Sequence, residues 1–128
     1  MKNQILLATF MMISSLYSLA DNNAYTEAND CIIAHNRIET RNPNPKIDPS
    51  NFKICKNGSS LKIIKETGEV LLDDTVQTDF GFSSGRAITT KTRSLMINVG
   101  KNADGDLGNI LVTGKNIMDT YFIKSLPN

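Results

Sequence analysis

Few residues in this chain could do chemistry. It holds one histidine, two cysteines, no tryptophan and scattered acids. His35 could act as a general base toward Ser83 or Ser84, with Asp79 or Asp30 to orient it. No nucleophile elbow or comparable local signature surrounds any of these serines. Asp73-Asp74 with Asp79, or Glu66 with Glu69, could in principle make a glycosidase pair. Such pairs need rigid cleft walls, and sugar sites usually add aromatic platforms, which this chain lacks. They read instead as solvated turn and strand-edge acids. Catalytic residues are therefore expected to be none, and the chain is read as a non-enzyme.

Cys31 and Cys55 could hold a metal with His35. Metal sites normally need three or four tightly spaced ligands, and there is no Cys-x-x-Cys, so no metal or cofactor is expected. In an oxidising compartment two cysteines have one intramolecular pairing, and a Cys31–Cys55 disulfide is predicted. Asn102, Asp104 and Asp106 space oxygen donors like the start of a calcium loop. Leu107 and Thr113 then stand where that loop wants glycine and glutamate, so calcium is only a weak candidate. Asn57-Gly58-Ser59 fits a glycosylation acceptor, and the hairpin it would form explains it equally well.

The compartment follows from the N-terminus. Lys2 precedes the apolar stretch Ile5–Tyr17, and Ser18-Leu19-Ala20 ends in small residues, the order of a cleaved signal peptide over 1–20. The working protein would start at Asp21. The apolar stretch is short for a membrane span, and no other follows, so the mature chain is expected to have no transmembrane segment. Cleavage removes one of the 14 Lys and Arg residues, balancing the 13 Asp and Glu. A neutral surface gives no electrostatic case for nucleic acid. A periplasmic or secreted location is expected.

The elements that must position these residues read as strands. Residues 21–51 form an irregular arm. Ala24, Ala28, Cys31, Ile32 and His35 fall at helical spacing behind an Asn22 or Asn23 cap, while Cys31–Ile33 could equally open a strand toward Ile38. Asn42–Pro49 carries three prolines and reads as a stiff extended connector. From Phe52 the pattern alternates. Strands are predicted at Phe52–Lys56, Leu61–Lys65, Glu69–Leu72, Val76–Phe82, Arg86–Thr90, Ser94–Val99, Ile110–Thr113 and Met118–Leu126, divided by Asn57-Gly58, Thr67-Gly68, Ser83–Gly85 and Gly114–Asn116. Val76, Thr78, Phe80 and Phe82 would share one face. Seven or eight short strands make residues 52–128 an antiparallel all-β meander, closed as a barrel or stacked as a sandwich, with 21–128 one folded unit.

The candidate partner-binding loop is Ser83, Ser84, Gly85 and Arg86, a flexible tip presenting an arginine after the Phe80 and Phe82 pair. Asn102–Asn109 is the second loop of interest. The stretch Phe52-Lys-Ile-Cys55-Lys-Asn-Gly58-Ser-Ser-Leu61 resembles the first cysteine strand and hairpin of the exported lysozyme inhibitors of Gram-negative bacteria. Ser84-Gly85-Arg86-Ala87 resembles the serine–glycine loop these inhibitors insert into the enzyme cleft. The chain departs from the family at Ile88, where a tyrosine is expected. It also lacks the tryptophan-rich strand, and Cys31 lies upstream where the family's second cysteine is C-terminal. The resemblance implies a hydrolase-neutralising protein acting by surface complementarity. A structural or adhesive subunit of a surface assembly is the alternative, marked by an unpaired edge strand. A small hydrolase using His35 is the third reading.

Overall fold

The computed structural model describes residues 31–41 and 43–127. The proposed signal peptide, the Ala24 helix and Asp30 lie outside the described residues. Eight strands run as β1 (Cys31–Glu39), β2 (Ile47–Asn57), β3 (Ser60–Lys65), β4 (Val70–Phe82), β5 (Gly85–Thr90), β6 (Arg93–Val99), β7 (Gly108–Gly114) and β8 (Ile117–Ser125). Each pairs antiparallel with its neighbour in sequence, and β1 pairs with β8 to close the barrel. The all-β meander expected from alternation is what forms, as a barrel and not a sandwich.

The side-chain period of two sends alternate residues inward. Ala34, Phe52, Ile54, Leu61, Ile63, Leu72, Ile88, Leu95, Ile97, Ile110, Val112, Tyr121 and Ile123 fill the interior. The Phe52 and Tyr121 rings meet edge to face at 5.1 Å, the arrangement the ring quadrupoles favour.

The barrel starts earlier than the sequence reading placed it. Of the two alternatives open past Cys31, the strand forms, and the boundary drawn at Phe52 falls inside β2. Alternation is hidden in β1 by a bulge. Between the pairs His35–Asn51 and Arg37–Asp48, Asn36 alone faces both Pro49 and Ser50. Asn36 takes φ +57, a conformation asparagine tolerates better than most residues. Pro49 sits in the irregularity, where its missing N–H breaks no regular ladder bond.

Glu69–Leu72 and Val76–Phe82, read as two strands, merge into one strand of 13 residues that begins at Val70. The first part of β4 pairs with β3 through Ser60–Thr75, and the second pairs with β5 from Val76–Thr90 onward. This stagger is what closing a sheet into a barrel requires. A second irregularity lies between Val76 and Thr78, where consecutive residues Thr90 and Thr89 face them. Gln77 is the extra residue. Val76 packs toward the core, while Phe80 pairs with Ala87 on the outer face. The expected single face from Val76 to Phe82 is therefore split.

The β2–β3 turn also shifts by one residue. Asn57 pairs with Ser60, so Gly58-Ser59 is the two-residue loop. Gly58 at φ +61 is its first central residue, the position a type II′ hairpin reserves for glycine.

Candidate functional site

Antiparallel order fixes which loops share an end. One end, the rim, carries the start of β1, the β2–β3, β4–β5 and β6–β7 connections, and the end of β8. The opposite end, the base, carries the β1–β2, β3–β4, β5–β6 and β7–β8 connections. Both loops singled out in the sequence, Ser83–Arg86 and Asn102–Asn109, lie on the rim. The Val99 N–H, at the end of β6, donates to the Ser84 carbonyl at 2.7 Å and fixes the first loop to the strand that leads into the second.

Ser83 and Ser84 form the tip between Phe82 and Gly85, which pair with each other. A side chain at Gly85 would run into the Ile97 carbonyl oxygen, so glycine lets β5 lie against β6 here. Arg86 does not wave free at the tip. Its Nε and Nη2 donate to the two carboxylate oxygens of Asp79 at 2.8 and 2.7 Å, a bidentate fork. Lys56 Nζ approaches the same carboxylate at 3.5 Å. The Arg86 hydrogen bonds hold the Asp79 carboxyl below its usual range. Asp79 pairs with Ile88 and Arg86 with Ile97, both interior positions. The cluster therefore belongs to the inner wall of the rim.

That wall encloses an open, largely apolar mouth of about 300 Å³. Ile32, Ile54, Leu61, Ile88 and Ile97 form its floor and sides, with Phe82, Val99 and Leu126 near the opening and Lys56, Ser83 and Arg86 among its polar lining. Phe80 and Phe82 stack on the outer face, centroids 6.3 Å apart, and are 67 and 38 % exposed. Both rings belong to the surface.

The second loop is held by its own side chains. Asn102 Oδ1 accepts the backbone N–H groups of Asp104 and Asp106 at 3.0 and 2.9 Å. Its Nδ2 donates to Asp106 Oδ2 at 3.3 Å. The Asn102 and Asp106 oxygens spaced like calcium donors are thus engaged with N–H groups, an Asx-turn arrangement. No group of three or more His, Cys, Asp or Glu residues placed to hold a metal occurs among the described residues.

His35 Nε2 lies 2.8 Å from Asp106 Oδ1 and anchors this loop to β1. That bond lowers the Asp106 carboxyl from its ordinary value. The partner of His35 is Asp106, a residue sequence reasoning did not pair with it. Asp79 is held by Arg86 and Lys56 instead. Only the long separation in sequence hid the His35–Asp106 pair, because no local spacing joins residues 71 positions apart.

Cys31 and Cys55 form the disulfide, directly opposed across β1 and β2 with Cα atoms 4.1 Å apart. It sits one pair from Ile32 and Ile54, so it clamps the rim side of the barrel. At the base, Arg37 Nε and Nη2 donate to Asp119 Oδ2, both at 3.2 Å. Asp119 is 8 % exposed and pairs with interior Val112. The interior is therefore apolar through its middle, with an ionic cluster at each end: Arg86, Asp79 and Lys56 at the rim, Arg37 and Asp119 at the base. Among the described residues, no helix is long and apolar enough to cross a membrane.

Comparison with known proteins adds no relative: no family model, no curated protein and no solved structure matches this chain.

Proposed function

We propose that this chain is an exported binding protein that engages a protein partner through the rim of its barrel. One observation carries the reading. The two loops picked out by their composition converge on the same end of a closed scaffold and are hydrogen-bonded into fixed shapes. Preorganised loops on a rigid support lose little conformational freedom on binding, so contact energy goes into affinity. The signal-like segment at 1–20 and the formed disulfide fit maturation outside the cytosol, in a periplasmic or secreted location. Closure leaves no edge strand free in the barrel, so assembly by strand addition to a neighbour lacks its template. His35 is bonded to a loop aspartate, with Asp106 and not a serine at its Nε2 among the described residues, which favours binding over hydrolysis.

The resemblance of the tip to the loop of lysozyme inhibitors makes a cell-wall hydrolase the first partner to try. The experiment is affinity capture from the exported fraction with the Asp21–Asn128 chain, followed by titration of the captured partner. Arg86→Ala should weaken binding about tenfold or more, the scale of a truncated arginine anchor, and should lower Tm modestly because Asp79 loses its fork. Undiminished binding by R86A and by an Asp104→Lys variant together would overturn the rim assignment.

A further inference from the structure

The mouth itself has a chemistry that partner binding through the loops does not use. Its walls are aliphatic and continuous with the core, at the lower end of the size range of small-molecule sites. Such a concavity is costly to hydrate and gains by taking a hydrocarbon. Its polar lining is not neutral. The Arg86 fork is committed to Asp79, but the Lys56 ammonium reaches that carboxylate only at 3.5 Å, a long and weak contact that leaves its other donors to place. An ammonium has three donors to place. Two cationic side chains face one carboxylate here, so the lining complements a negative head group above an apolar tail.

We propose that the mouth binds one molecule of a small anionic amphiphile, its tail against Ile54, Ile88 and Ile97 and its head at Lys56. The ligand class is a single-chain carboxylate, sulfate or phosphate ester. A carboxylate head would take the free donors of Lys56, and the tail would replace water over the aliphatic floor. Asp79 competes with the head for the same ammonium. This site is independent of the partner reading, because it needs neither the Ser83-Ser84 tip nor the Asn102–Asp106 loop.

The test is calorimetric titration of the Asp21–Asn128 chain, with no partner present, using decanoate, decyl sulfate, 1-decanol and decyltrimethylammonium as monomers. Decanoate and decyl sulfate should bind one to one. Decanol should bind about tenfold more weakly, the cost of one charge-assisted hydrogen bond, and the cationic amphiphile weaker still. Val99→Trp, at a partly exposed position on the opening, should fill the mouth and abolish binding with Tm retained. Lys56→Gln should lower decanoate affinity to that of decanol, and Asp79→Asn should raise it. Equal affinity for decanoate and decanol would overturn the head-group assignment. Unchanged binding by a folded V99W, or no binding of any anionic amphiphile, would overturn the site. Binding to anionic vesicles without binding of monomeric decanoate would also overturn it, since the occupant would then be a bilayer surface.

Discussion

At the scale of single residues, the ion pairs divide by where they lie. Asp48 accepts from the Ser50 backbone N–H at 3.0 Å and meets Lys65 Nζ at 2.9 Å, and its carboxyl falls from 3.8 to about 2, the Ser50 hydrogen bonds first and Lys65 second. Asp74 accepts from the Thr92 hydroxyl and backbone N–H at 2.7 and 2.9 Å and is also depressed, by the Thr92 hydroxyl first and the Thr90 hydroxyl second. A carboxylate depressed in the folded state binds fewer protons there than in the unfolded chain. Its stabilising contribution is complete above the unfolded value and fades as pH falls through the folded one. For Asp48 the window runs from about pH 4 down to about pH 2. Urea midpoints measured across that window should fall with acid in the parent and fall less steeply in Asp48→Asn. At the base, Asp119→Ala would strand the half-buried Arg37 guanidinium and should cost about 2 kcal/mol by urea titration, whereas Asp119→Asn should cost less because it can still accept.

At the scale of elements, the irregular residues decide what sequence periodicity can reveal. The strands from β5 to β8 alternate cleanly and were legible, as were the hairpins at Ser83–Gly85 and Gly114–Asn116. β1 was not, because the irregularity at Asn36 and the inward Arg37 spoil its pattern, and no local property marks a bulge that only its partner strand reveals. Gln77 had the same effect on β4. One inserted residue put Phe80 and Phe82 on the face opposite Val76, where alternation alone had set all three on one side. The rim was half legible. Composition pointed to both loops, while the Arg86–Asp79–Lys56 cluster and the mouth behind it depended on register that alternation cannot supply. The close approach of β5 to β6 gives this scale its own prediction. Gly85→Ala should destabilise by about 1–3 kcal/mol, as overpacking against backbone does, and should shift the amide resonances of Ser83, Ser84 and Ile97 in NMR spectra.

At the scale of the whole molecule, the disulfide spans 24 residues and joins strands already paired in register. Closing a loop of that length in the unfolded chain is worth about 3 kcal/mol. Replacing both cysteines with serine should lower the unfolding free energy from urea titration by that amount, and the midpoint with it, while far-ultraviolet circular dichroism stays that of a β protein. A midpoint equal to the parent would show that the barrel's ladders alone carry its stability. The ladders themselves are unequal. Seven join strands adjacent in sequence, and the eighth, from β1 to β8, brings Ile33 beside Ser125. Local zippering can build the first seven in succession, but that last seam must await two remote parts of the chain. Its formation should set the refolding rate, and because the barrel is a closed ring, a permuted chain with β8 joined ahead of β1 and new ends at Lys115-Asn116 would only move the remote seam to β7 and β8, so it should refold at about the parent's rate.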